Sequence, residues 1–213
     1  MDRYDLVPQG GGRNYTGIFT RTIVYGLTLF LFLTGFALTL AAISLPSWLR
    51  YNDFTPDGND YHLSLGLHKR CSSILGDCEP YPQHDECASD EGRYFCSMWR
   101  SVGFLMSLAV VIEGMSLISY VVILSGGKQR RESGSGVLSA FLVIATLFQC
   151  AAMAIVAYLY DNDERFAVGW ELDDSWILCT VSWCLTLFCA AALIISRRVL
   201  PSEGGYELIP DPS

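Results

Sequence analysis

Four long stretches of this sequence are almost without charge. Residues 22–45 and 176–195 hold none, residues 102–124 hold only Glu113, and residues 137–158 have Gln149 as their most polar member. Proline is missing from all four, which speaks against the broken helices on which transporters build their sites. Strict alternation of apolar and polar residues is missing too, which excludes a membrane barrel. The chain has no HExxH, no GxSxG, no nucleotide-binding glycine loop and no pair of carboxylates within the apolar stretches. No enzymatic activity, cofactor or nucleic-acid partner is therefore expected.

What is present fits a membrane. Each stretch reaches the roughly 20 residues a helix needs to cross about 30 Å of hydrocarbon. The first is too long for the apolar core of a signal peptide, and the residues before it are mixed in charge, so it reads as an uncleaved span. Four spans leave tails at 1–21 and 200–213, flanking a membrane domain at 22–199 with loops at 46–101 and 159–175. With both termini in the cytosol, the inner segments carry eight basic residues against six acidic ones, and the outer segments six against fifteen. Lys128, Arg130 and Arg131, in the short turn after the second span, give the strongest positive-inside signal. Trp48, Trp99, Trp170 and Trp176 then lie near the outer ends of spans, as in an interfacial aromatic belt. The predicted location is a multi-pass position in the plasma membrane.

The long outer loop carries Cys71, Cys78, Cys87 and Cys96. Outside the cell, disulfides are the default. Of three pairings, Cys71–Cys78 and Cys87–Cys96 are favoured by proximity, although sequence alone does not decide. His62, His68 and His84 share the loop, but the spacing fits no zinc pattern. Tyr61 to His68 reads as a strand after a turn at 56–59, and Phe166 to Trp170 as a further one. The expected fold is an all-α membrane protein, a four-helix bundle with a small extracellular antiparallel sheet. Glu113 is an ionisable group near mid-membrane, where charge is costly. It reads as a protonated or hydrogen-bonded packing residue facing Gln149. Cys150, Cys179, Cys184 and Cys189 read as small buried hydrophobes, and Gly26, Gly35, Ala151, Ala152, Ala154 and Ala190–Ala192 as close helix contacts.

The loop residues carry a family likeness. Trp48 follows the first span, Gly66-Leu67 precedes Cys71 and Cys78, and Arg100 stands just before the second span. This pattern resembles the claudin superfamily, which includes claudins, the peripheral-myelin and epithelial-membrane group, and calcium-channel gamma subunits. The resemblance implies a claudin-like fold in which Trp48, Gly66, Leu67, Cys71, Cys78 and Arg100 shape the outer loop. The implied partners are membrane lipid, other membrane proteins or copies of the chain itself. The chain resembles a divergent member: His68 replaces the family's second tryptophan, Cys87 and Cys96 are extra, and no PDZ-type Tyr-Val ends the tail. The expected function is to organise membrane or cell-surface contacts. The alternative is an auxiliary or sensor subunit, channel-associated or reporting ambient pH through the loop histidines, because histidine changes charge between pH 5 and 8.

The tails echo one another. Tyr4-Asp5-Leu6-Val7-Pro8 and Tyr206-Glu207-Leu208-Ile209-Pro210 both fit Tyr-x-x-apolar. Tyr4, Val7, Tyr206 and Ile209 are therefore candidate sorting motifs for cytosolic trafficking adaptors.

Overall fold

The computed structural model describes residues 13–54, 60–73, 76–126, 128–166 and 169–199. Four helices account for most of them: α1 (Arg13–Ser44), α2 (Asp90–Ser125), α3 (Lys128–Asn162) and α4 (Asp174–Val199). All four are long and apolar enough to cross a membrane. Their exposed faces are apolar, with Phe30, Phe104, Ile118, Leu147 and Phe188 among the outward side chains. Thr28, Thr39, Glu113, Ser116, Gln149, Ser182 and Thr186 are instead buried. A polar side chain in hydrocarbon is costly unless it is hidden in the bundle or bonded, and these seven are hidden, while the exposed Thr34 hydroxyl donates back to the Phe30 carbonyl at 3.1 Å. The protein is thus a four-span helical membrane protein with a small sheet at one end.

The helices outrun the apolar stretches. The second span was expected from residue 102, but α2 starts at Asp90 and runs 36 residues, about 54 Å at 1.5 Å per residue. Its start is capped: the Gly92 amide donates to Ser89 Oγ at 3.0 Å, and Asp90 and Glu91 lie in the first turn, where carboxylates suit the helix dipole. The last part of the expected loop 46–101 is therefore helix. Hydropathy marks only the part of a helix that meets lipid, and α2 continues beyond it.

The remaining described residues include five strands: β1 (Leu49–Phe54), β2 (Asp60–Leu65), β3 (Lys69–Ser72), β4 (Cys78–Pro80) and β5 (Trp170–Leu172). They form one antiparallel sheet in the order β4-β3-β2-β1-β5. Both loops contribute, because β5 comes from the second. That strand falls later than the expected 166–170: residues 164–166 form a 3-10 turn, and Gly169 at φ +103° turns the chain into the sheet. A Cβ on Gly169 would lie 2.8 Å from the Tyr51 ring, so only glycine suits the position. The turn expected at 56–59 lies outside the described residues.

Trp48 and Trp99 are corrected from interfacial belt to core. Both are fully buried, among Ala42, Leu49, Leu67, Phe95 and Phe166. The extra turns of α2 lift Trp99 beneath the sheet, where rings from both loops close over it. Trp170 and Trp176 remain half-buried. The small-residue expectations divide similarly. Gly35 is a close contact, since Ser182 Oγ of α4 donates to its carbonyl at 2.8 Å. Gly26 has no neighbour where a Cβ would stand. Ala152 and Ala190 are buried, whereas Ala151, Ala154 and Ala191 face outward.

Gly66 joins β2 to β3 where α1 ends. A Cβ there would lie 2.6 Å from the Pro46 Cα and 3.2 Å from the Leu45 and Lys69 carbonyl oxygens. All of these are backbone atoms, which cannot swing aside. Gly66→Ala should lower the melting temperature in detergent and leave the β2–β3 turn open to protease, whereas Gly26→Ala should leave both unchanged.

Candidate functional site

Two constellations stand out: the braced sheet and a polar cluster in the middle of the bundle. In the sheet, four of the facing pairs are each held by a different interaction, and such cross-strand pairs stabilise a sheet. Cys71 faces Cys78 and is bonded to it. Arg70 faces Glu79 at 3.3 Å and also holds Glu86 at 2.6 Å. Asn52 faces His62, with Oδ1 and Nδ1 2.8 Å apart. Tyr51 faces Trp170, their ring centroids 5.3 Å apart.

Cys87 is bonded to Cys96 in the second turn of α2. This ties the segment after β4 to the projecting helix, and Arg70 fastens the same segment through Glu86. Gln83 adds a bond from its side chain to Glu79 at 3.0 Å. Tyr81 packs edge-on against Trp99 at 5.7 Å, and burial, with Glu86 nearby, pushes its phenol above the ordinary tyrosine range. Phe95 stacks on Trp99 at 5.7 Å, and the Arg165 guanidinium lies over the Phe95 ring at 4.6 Å.

Trp48 is the root of the sheet. Its indole donates to the Ala42 carbonyl at 2.8 Å, its amide donates to Leu65 O at 2.8 Å, and its carbonyl accepts from Asp173 N at 3.1 Å. One residue so joins α1, β2 and the start of α4. Leu67 is buried beside it in the same core. Arg100 does not join this group: it is exposed, and its side chain makes no ion pair or hydrogen bond among the described residues. His62, His68 and His84 are exposed at the sheet end, and no set of three metal-ligating side chains gathers among the described residues.

The second constellation takes one side chain from each helix: Thr39 from α1, Glu113 from α2, Gln149 from α3 and Ser182 from α4. All four are fully buried. Gln149 Nε2 donates to Glu113 Oε1 and to Thr39 Oγ1, each at 2.9 Å. Thr39 Oγ1 lies 2.6 Å from Ser182 Oγ and 3.2 Å from Glu113 Oε1. The one Thr39 hydroxyl proton has three acceptors in reach, Ser182 Oγ, Glu113 Oε1 and Gly35 O, while Ser182 Oγ also donates to Gly35 O, so the hydroxyls form a shared network rather than a fixed pair.

Among the described residues, Glu113 Oε2 and Gln149 Oε1 have no hydrogen-bond partner, and no cation touches the carboxyl. The arrangement suits a neutral carboxyl that locks helices together, since an unpaired charge there would be costly. Facing of Glu113 and Gln149 was legible from their depth in the spans. Thr39 and Ser182 were not, because single hydroxyls in apolar helices carry no distinguishing signal. Of the free cysteines, Cys179 and Cys189 are buried, Cys150 is half-buried and Cys184 is exposed. The reading of all four as buried is corrected for Cys184, whose position on α4 turns to the outer face. Tyr4, Val7, Tyr206 and Ile209 lie outside the described residues.

Compared with models of known protein families and with characterised proteins, the chain matches none.

The polar cluster predicts an ordered mutant series. Glu113→Gln keeps the shape and an acceptor, so unfolding free energy in detergent should stay within about 1 kcal/mol of the parent. Glu113→Leu removes an acceptor from both Gln149 and Thr39 and should cost about 1–3 kcal/mol, part of which the double variant Glu113→Leu/Gln149→Leu recovers. The brace predicts that Cys87→Ala/Cys96→Ala loses about 3 kcal/mol, the entropy of a loop closed over a separation of nine residues. Denaturant unfolding followed by tryptophan fluorescence checks both series.

Proposed function

We propose that this chain is a non-enzymatic, claudin-like membrane protein that organises membrane or cell-surface contacts through its braced sheet. The observation that carries the reading is the sheet itself. Strands from both loops, two disulfides and the Arg70–Glu79–Glu86 ion pairs make a rigid surface on the bundle. Rigid surfaces bind with little ordering cost. A surface braced to this degree suits contact with other proteins or with further copies of the chain. Trp48, Gly66, Leu67, Cys71 and Cys78 occupy the positions that the claudin resemblance assigns to the loop fold.

In this reading the sheet lies outside the cell, where disulfides persist. Both termini lie in the cytosol of a plasma-membrane protein, and the tail motifs meet trafficking adaptors there. A second reading, an auxiliary or pH-sensing subunit, rests on the exposure of His62, His68 and His84 at the sheet end.

Labelling of intact cells tests the orientation. A cysteine placed at Lys69 should react with a membrane-impermeant maleimide, and one placed at Ser202 should react only after permeabilisation. Blue-native electrophoresis then separates the roles. Assemblies of the chain with itself or with surface proteins, lost in Cys71→Ser/Cys78→Ser, support the organising role. A monomer whose signalling tracks external pH, and loses that dependence when all three histidines become Gln, supports the sensor.

A further inference from the structure

The geometry points to a phospholipid site at Arg100, in which the guanidinium holds the phosphodiester of a bilayer lipid. Three observations converge. First, Arg100 has no carboxylate or carbonyl partner among the described residues, although acids outnumber bases at this end of the molecule.

Second, Arg100 lies on the lipid face of α2, at the level where the apolar stretch begins. Phe104, Val111 and Ile118 follow it at spacings of four, seven and seven residues, and are 67%, 57% and 65% exposed. At about 100° per residue these positions form one stripe along the helix. A cation at the head of such a stripe stands at the depth of lipid phosphates, with an apolar track below it for an acyl chain.

Third, Arg100 and Phe104 stand between two clefts and line both. One cleft, of about 420 Å³, is walled by the Cys87–Cys96 bond, Arg93 and Ser97. The other, of about 360 Å³, is walled by Leu67, His68, Tyr81 and Pro82. The walls hold no carboxylate, so the site's charge matches an anion. The occupant is bilayer lipid because the track beneath is membrane-facing: a soluble phosphate would leave Phe104 and Val111 unused. An arginine fork pairs with two phosphate oxygens at once, which lysine does not reproduce.

The full chain in a maltoside detergent, titrated with palmitoyl-oleoyl phosphatidylcholine and read by native mass spectrometry, tests this. The parent should retain one lipid per chain. Arg100→Gln should weaken retention about tenfold, with Arg100→Lys intermediate and Lys69→Gln unchanged. A galactosyl diacylglycerol, which lacks phosphate, should bind parent and Arg100→Gln alike. Ser97→Asp, which places a carboxylate one helical turn from Arg100, should reproduce the loss and serves if Arg100→Gln fails to fold. Equal retention of phosphatidylcholine by parent and Arg100→Gln would mean annular lipid only. An equal loss in Lys69→Gln, or an equal effect with the galactolipid, would likewise overturn the site.

Discussion

Ser47 and Trp48 form the short connection on which everything at the sheet end depends. The first span ends at Ser44, and within four residues the chain must leave a helix and enter a sheet. Backbone groups released there need partners, because the helix is surrounded by apolar side chains and lipid. They find them in both loops: Ser175 N donates to Ser47 O at 2.9 Å, Asp173 N to Trp48 O, and Trp48 N to Leu65 O. The fully buried Trp48 ring fills the space between. Sheet and bundle are thus one packed unit, and neither can shift without exposing these groups.

The bundle has a similar logic at its centre. One apolar cluster, from Ala42 to Cys179, lies toward the sheet; another, from Tyr25 to Leu193, lies toward the opposite end. In each helix the polar residue lies in sequence between members of the two clusters: Thr39 after Phe32, Glu113 after Met106, Gln149 after Leu142, Ser182 after Cys179. Apolar packing alone lets helices slide past one another at little cost. Hydrogen bonds shared by four helices do not, so the cluster sets their vertical register.

Much of this was legible in the sequence because hydrocarbon is a severe solvent. Four stretches of sufficient length with almost no charge leave few alternatives, and a lone Glu113 in one of them announces a buried partner. Strand content around Tyr61 followed from alternation. The upper turns of α2 were not legible, because Asp90, Glu91, Arg93 and Arg100 make that segment look like loop. Its helical signal lay in the Ser89 cap and the stripe of Phe95, Trp99 and Val102. The burial of Trp48 and Trp99 was hidden for a related reason: a tryptophan near a span end reads as interfacial unless one knows that a sheet covers it. The late position of β5 depended on Gly169 turning against Tyr51, a tertiary contact with no local mark.

The projecting length of α2 has one more consequence. About three turns rise beyond the apolar stretch, near 18 Å at 1.5 Å per residue; the Cys87–Cys96 bond fastens the segment after β4 to them, and Arg70 of the sheet holds that same segment through Glu86. The sheet is therefore carried on a rigid mast rather than on tethers. Its height above the bilayer is a fixed dimension of the molecule, so anything that meets it does so at one standoff distance from the membrane.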